Sequence, residues 1–324
     1  MRQRHHLVPR FYLDRWSIPG KGLTAVRRSS GEVLSRSART VAVETDAYAI
    51  EVPDEGKNYI VERMLGAVES EGAQALSNML ESWPPSEKDR ESWALLMAFQ
   101  VTRGRDFMDD MNKLEVYMTK TMVALDSRDP ESMRRRLQDA GLEPTQDNMD
   151  LLREMMDKPD SYNLRVHPAH LLKTAMETGR DMLPYVAART WNLLHFEQPV
   201  LITTDRPLTL HSEPESRGPF GAVGLMTADE VWMPLDPTRL LVMTHPDTEP
   251  RVGTVPQAVV PSISLRIAAA CNEWVVARPE NPHVSAIAQF LKGRPGPTLE
   301  IAGPSLEEWS KAGERMTKSL RSAE

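Results

Sequence analysis

The chain has 324 residues, a formal net charge of −7, 40% hydrophobic residues and 26% charged ones. This is an ordinary soluble composition, long enough to bury the core of one large domain or two smaller ones. The acidic balance excludes a surface coated in basic charge for non-specific nucleic-acid binding, although a local basic patch is compatible with it.

The single cysteine, Cys271, excludes an internal disulfide and points to a reducing compartment. It sits in the apolar run 267–271, where a free thiol acts as a small hydrophobe rather than a nucleophile. No segment approaches the roughly 20 apolar residues that a membrane span needs. No apolar stretch follows the basic Met1-Arg2-Gln3-Arg4. The expectation is a cytoplasmic protein with neither a signal peptide nor a membrane attachment.

Along the chain, residues 1–53 read as extended pieces. The opening stretch from Arg4 to Trp16 packs two adjacent histidines, Pro9, Arg10 and the aromatics Phe11, Tyr12 and Trp16 into a segment that normally frays. So many large apolar groups predict that this segment docks into the fold. Residues 22–28 and 31–34 flank a Ser-Ser-Gly turn and predict a hairpin, and partial alternation continues over 41–50.

Residues 57–186 read as a helical block. Ile60, Met64, Leu65, Val68 and Ala75 keep an approximate 3.6-residue spacing. Pro84-Pro85 then breaks the pattern, and Ser86 is the expected N-cap of the next helix, which carries Trp93, Leu96, Met97, Phe99, Gln100 and Arg103. Residues 114–125 and 149–156 continue the helical pattern, with the Arg134-Arg135-Arg136 run read as a solvated face in a polar connection. His167-Pro168-Ala169-His170 opens a last helix towards Met182. Methionine at helical spacing reads as gap-filling core.

Residues 189–280 read as strand-rich: 191–196, an apolar strand at 200–202 that delivers Thr203-Thr204-Asp205, a hairpin over 231–244 turning at Asp236-Pro237-Thr238, and 273–277. Gly218-Pro219-Phe220-Gly221 reads as a loop, and Ser305 with Glu307 and Glu308 predicts a polar C-terminal helix over 305–324.

Three places carry chemistry-bearing side chains. In a strand, His5 and His6 point to opposite faces, so one metal ion takes both only where the backbone turns; otherwise one packs in the core and the other bonds a carbonyl. Asp205, at a strand end, suits metal binding or general-base work, or equally an Asx cap of the turn before Pro207. His167 and His170 share a helix face but have no third ligand nearby in sequence. No Cys-x-x-Cys, HExxH, phosphate-cradling Gly-rich loop or Gly-x-Ser-x-Gly elbow is present, which argues against zinc fingers, zincins, P-loop enzymes, dinucleotide-binding domains and serine hydrolases.

These motifs in order resemble the DUF4238 family, a group of soluble, largely bacterial proteins without an assigned function. The likeness rests on His5-His6-Leu7-Val8-Pro9-Arg10-Phe11-Tyr12-Leu13 with Trp16; on Glu62 and Glu69; on Gln100 with Arg103; on Thr203-Thr204-Asp205-Arg206-Pro207; on Pro234-Leu235-Asp236-Pro237; and on Asn272. Together these span about residues 4–276. Arg206 stands where the family has asparagine, and Asp236 where it has serine.

The resemblance implies a shared fold and a constellation of His5, His6, Glu62, Glu69, Gln100, Arg103, Asp205 and Asn272. Two functions follow; the first is the leading expectation and the second its alternative. In a hydrolase acting on a phosphodiester, nucleic-acid-related or other small substrate, a divalent metal would sit on His5, His6, Asp205, Glu62 and Glu69. His5, His6 and Asp205 would then serve acid–base steps and Arg103 would steady an anion, with Arg10, Tyr12, Gln100 and Asn272 touching the substrate. In a non-catalytic binding or interaction module, the same side chains form a structural polar core. The expected fold is α+β, a single integrated domain with a central helical block packed against a mainly antiparallel sheet from the N- and C-terminal segments. Oligomeric state is not legible in the sequence.

Overall fold

The computed structural model describes residues 4–52, 56–127, 129–158, 161–213 and 223–298. The expected loop at 218–221 and helix at 305–324 lie outside them. The fold is α+β with mostly antiparallel sheets. The described chain divides into two compact units: residues 4–108 with 172–298, and residues 109–171.

In the first unit the chain enters through β1 (Arg4–His6) and the short helix α1 (Arg10–Leu13), which a 3₁₀ turn extends to Trp16. The predicted hairpin forms from β2 (Leu23–Arg27) and β3 (Val33–Arg36). β4 (Val43–Thr45) pairs antiparallel with β1, and β5 (Ile50–Val52) with β6 (Gly56–Asn58), so the start of the expected helical block is strand.

Helix α2 (Ile60–Glu81) buries Val61, Leu65, Leu76 and Met79, whereas Ile60 and Met64 of the expected stripe face outward. Helix α3 (Glu87–Thr102) starts as predicted, with Ser86 Oγ accepting from the Asp89 N–H at 3.1 Å. It is buried almost all round, from Trp93 to Thr102, because it is flanked on two sides. A Cβ at Gly72 of α2 would lie 2.8 Å from Leu96, and one at Gly179 would lie 2.7 Å from Phe99. Gly179 belongs to α7 (Pro168–Ala188), which reaches back to the first unit after α4 (Arg105–Asp126), α5 (Pro130–Asp139) and α6 (Gln146–Asp157).

After α7 come β7 (Thr190–His195), β8 (Thr203–Thr204), β9 (Thr209–His211), β10 (Glu230–Asp236), β11 (Arg239–Thr244) and β12 (Val252–Thr254). Helix α8 (Val260–Ala269), β13 (Trp274–Ala277) and α9 (Val284–Leu291) complete the unit. The main sheets run β12-β7-β11-β10-β9 and β3-β2-β13-β8, so the second joins the N-terminal hairpin to the C-terminal strand.

The period-2 alternation of strands distributes side chains between two cores. Val231, Met233, Leu235, Leu241 and Met243 pack with α2, α3 and the N-terminal segment. Trp232, Leu240 and Val242 pack with α8 and α9. Both faces are covered, which is why this hairpin reads as continuous apolar runs.

Residues 200–202, expected as a strand, lie outside any ladder. Their backbone groups are met elsewhere: Asn281 Nδ2 donates to the Val200 carbonyl at 2.8 Å, Trp16 Nε1 to the Leu201 carbonyl at 2.9 Å, and the Leu201 N–H to the Pro237 carbonyl. Pro234 stands mid-strand where a ladder normally forbids it. β9 pairs only with Glu230–Trp232, so beyond it β10 has an open side, and there Tyr12 OH donates to the Pro234 carbonyl at 2.7 Å. A residue's N–H and C=O point to the same side of a strand, so the missing proline N–H costs no ladder bond.

In the second unit, Met133, Leu137 and Met149 form a small core. Asp129 caps α5, accepting from the Glu131 and Ser132 N–H groups, and Thr145 caps α6. The triple-arginine run lies inside α5, not in a connection, and its side chains are exposed as expected. Met118, Met122 and Met155 are exposed rather than core, because so small a core leaves helix faces uncovered. His170 meets Glu115 at 3.3 Å, and His167 Nδ1 accepts from the Ala169 N–H, so the pair does not act together.

Two glycine substitutions test the helix packing with opposite signs. Gly179→Ala should lower the urea midpoint, since overpacking costs about 1–3 kcal/mol and outweighs the gain in helix propensity. Gly66→Ala, with nothing within 4 Å of the new methyl, should raise stability by about 0.5–1 kcal/mol. Shifts of the same sign in urea titrations would contradict this packing.

Candidate functional site

Strand β1 sets the two histidines on opposite faces, as its geometry requires. Its partners across the ladder are Thr45, Glu44 and Val43 of β4, and the Leu7 N–H continues the pairing to the Ala42 carbonyl at 2.8 Å. His5 is wholly buried, stacked on Tyr59 at 5.7 Å and edge-on to Tyr48 at 5.5 Å. Its Nδ1 donates to Glu62 Oε2 at 2.7 Å. A carboxylate only accepts, so the proton belongs on Nδ1, and Nε2 finds no hydrogen-bond partner among the described residues. Glu62 lies in the first turn of α2, where the helix dipole favours a negative charge. His6 is half-buried on the other face, and burial lowers its pKa, against the opposing pull of Glu69.

The next residue binds the motif together. The Leu7 carbonyl accepts from Gln100 Nε2 at 2.8 Å and from Arg103 Nε at 2.9 Å, both from the C-terminal end of α3. Arg103 is 1% exposed, and its Nη1 meets Glu69 of α2 at 2.6 Å. Gln100 Oε1, Arg103 Nη2 and Thr102 Oγ1 find no protein partner among the described residues. Farther along, Tyr12 OH bonds Thr203 Oγ1 at 2.7 Å as well as Pro234, so this buried hydroxyl is spent on the strands beneath it. Arg10 is exposed on α1 and pairs with Asp14 at 3.3 Å.

Asp205 makes a different kind of contact from the expected Asx cap. The local turn is closed by Thr204 Oγ1, which accepts from the Arg206 N–H at 3.0 Å. Asp205 reaches a remote segment and accepts from three consecutive backbone N–H groups, those of Asn272 (2.8 Å), Glu273 (2.6 Å) and Trp274 (3.0 Å). Burial pushes its carboxyl up to about 6, against the downward pull of these bonds. Arg206 pairs with Asp106 at 3.0 Å. Cys271 is a free, buried thiol whose Sγ accepts from Arg28 Nε at 3.3 Å, and burial raises its pKa to about 11.

Asp205 also lines a cavity of about 350 Å³, whose other lining residues include Glu44, Arg105, Asn272, Glu273 and Trp274. A smaller pocket of about 30 Å³ lies on the Gln100 and Asp106 side of Asp205. Leu7 borders the larger cavity, so the segment that the motif holds forms part of its wall. Glu44, Arg105 and Trp274 are not among the site residues expected from the sequence. Only the fold brings them to Asp205.

The predicted constellation therefore separates into two groups. His5 with Glu62, and Gln100 with Arg103 and Glu69, surround Leu7; Asp205 and Asn272 meet at the cavity. Among the described residues, no group of three or more His, Cys, Asp or Glu side chains is placed to hold a metal ion. The proposed ligand set does not fit one: His5 faces Glu62, Glu69 faces Arg103, and Asp205 is occupied by backbone N–H groups. No helix among the described residues is long and apolar enough to cross a membrane.

The chain belongs to the family described as "Protein of unknown function (DUF4238)", whose model matches residues 4–281. No curated protein and no solved structure matches it.

The lowered pKa of His6 fixes the sign of a pH effect. The unfolded chain takes up a proton near the ordinary value of 6.5, and the folded chain does so only at lower pH. The contribution of neutral His6 is thus complete above 6.5 and is lost as the pH falls through the lowered value. In urea titrations at about pH 7.5 and about pH 5, the wild type should lose ground to His6→Gln at the lower pH. A gap that is constant, or that widens in favour of the wild type, would contradict the assignment.

Proposed function

We propose that this DUF4238 protein is a non-catalytic binding module. His5, Glu62, Glu69, Gln100 and Arg103 build the polar core that seats its N-terminal segment, and the cavity beside Asp205 receives the ligand. The observation that carries this reading is the double capture of the Leu7 carbonyl by Gln100 and Arg103, with Arg103 itself paired to Glu69. An arginine that must steady a substrate anion needs its donors free, and here Nε and Nη1 are committed to the protein. A catalytic histidine needs access to its substrate, and His5 has no exposed surface. The free buried thiol of Cys271 suits a protein of the reducing cytoplasm.

A second reading, a hydrolase, draws support from Asp205 alone. A carboxyl raised to about 6 on the wall of a cavity has the properties of a general acid or base. This version needs no metal and assigns no catalytic step to His5, His6 or Arg103; a phosphodiester remains its suggested substrate class.

Stability separates the two roles for the motif. Arg103→Met should cost about 2–4 kcal/mol in urea unfolding, because it strips two bonds from half-buried partners and leaves Glu69 without its cation. His5→Phe should also destabilise. Residues held in place for chemistry are often neutral or stabilising when replaced. An unchanged or raised unfolding midpoint in both variants would overturn the seating role and turn attention to catalysis.

A further inference from the structure

We propose that the cavity beside Asp205 binds a small organic cation, a free primary amine or guanidine, whose charge pairs with the Asp205 carboxylate. This deepens the binding-module reading and rests on it.

The charges around the cavity leave one that is unanswered. Glu44 and Arg105 meet at 2.8 Å and neutralise each other. Arg206, the cation next in sequence to Asp205, is 3.0 Å from Asp106. Glu273 lies 3.9 Å from Arg27, which also meets Glu32. Asp205 has three backbone N–H donors but no cationic side chain within ion-pair distance among the described residues. Backbone donors satisfy lone pairs without supplying net charge, so the wall stays negative at this point.

An anionic ligand would have to sit against Asp205 and Glu273 together. An apolar one would strip water from a carboxylate and give nothing back. A hard metal ion asks for six or more oxygen ligands, whereas three of the roughly four acceptor positions of Asp205 are already taken. An organic cation meets none of these objections: it needs one strong acceptor for its head and an apolar wall for its stem. Leu7, Ala42 and Val43 supply that wall, with Trp274 also among the lining residues; its ring already attracts one cation, with Arg27 4.9 Å from its centre. The volume of about 350 Å³ corresponds to roughly ten waters at ~30 Å³ each, which suits a head group with a short carbon chain.

The experiment is titration calorimetry of the full chain with butylammonium and agmatine, with butyrate and butanol as probes of equal length but different charge. The two cations should bind saturably, butyrate should not bind, and Asp205→Asn should weaken the cations by about tenfold or more. Because Asp205 also anchors three amides, hydrogen exchange on the wild type gives a second readout that needs no variant. The amides of Asn272, Glu273 and Trp274 should exchange more slowly with butylammonium bound. Cation binding unchanged in a folded Asp205→Asn, or saturation without slower exchange at these amides, would overturn the assignment. Butyrate or butanol binding as tightly as butylammonium would overturn the cation class and leave the module standing. Silence from every probe would overturn the cavity's role, while the seating role of the motif is judged separately by Arg103→Met.

Discussion

One carbonyl oxygen organises the N-terminal half of the first unit. Leu7 receives hydrogen bonds from Gln100 and Arg103 at the end of α3, its N–H pairs with Ala42, and Arg103 reaches on to Glu69 of α2. A guanidinium this deeply buried is tolerated only if its charge is paired, here by Glu69, since an unpaired buried charge costs several kcal/mol. Leu7, Glu69 and Arg103 therefore need one another: without the strand the arginine is stranded, and without the arginine the strand has no anchor on the helices. With that anchor made, His5 meets Glu62, Tyr12 reaches Pro234 and Thr203, and Trp16 reaches Leu201.

The same device recurs elsewhere in the unit. Arg28 is buried against the carbonyls of Ala268 and Ala269 at the end of α8, and against Pro295. Arg90 bonds the Ala187 carbonyl at the end of α7 and lies over the Trp191 ring. Arg189 holds the Leu225 and Ala228 carbonyls. Carbonyls at a helix C-terminus carry partial negative charge and no intrahelical donor, which makes a guanidinium fork a suitable cap. These arginines join irregular backbone to the core, and in composition alone they count only as surface charge.

What the sequence made legible was local. Ser86 announces α3, and Asp236-Pro237-Thr238 announces the turn of the central hairpin, because a cap or an Asx turn is decided within a few residues. Asp236 Oδ1 accepts from the N–H and hydroxyl of Thr238 at 2.7 and 2.8 Å, which closes that turn. Arg206 pairs with Asp106 rather than lining the larger cavity. Illegible features depended on distant partners. Residues 200–202 have the composition of a strand, but their backbone bonds go to Trp16, Pro237 and Asn281. The three amides on Asp205 lie 67 to 69 positions away in sequence, beyond the reach of any window.

The length of those connections sets an order on events in the cell. Tyr12 and Trp16 are made well before their hydrogen-bond partners, which lie 185 to 222 positions later. At typical rates of synthesis, roughly 5–20 residues per second, these aromatics wait on the order of 10–40 s for their partners. Throughout that interval the Tyr12 hydroxyl and the Trp16 indole N–H lack the acceptors they hold in the folded unit. The N-terminal segment is therefore fixed in its final place only after residues 201–234 have been made, however early its apolar packing on α2 and α3 begins.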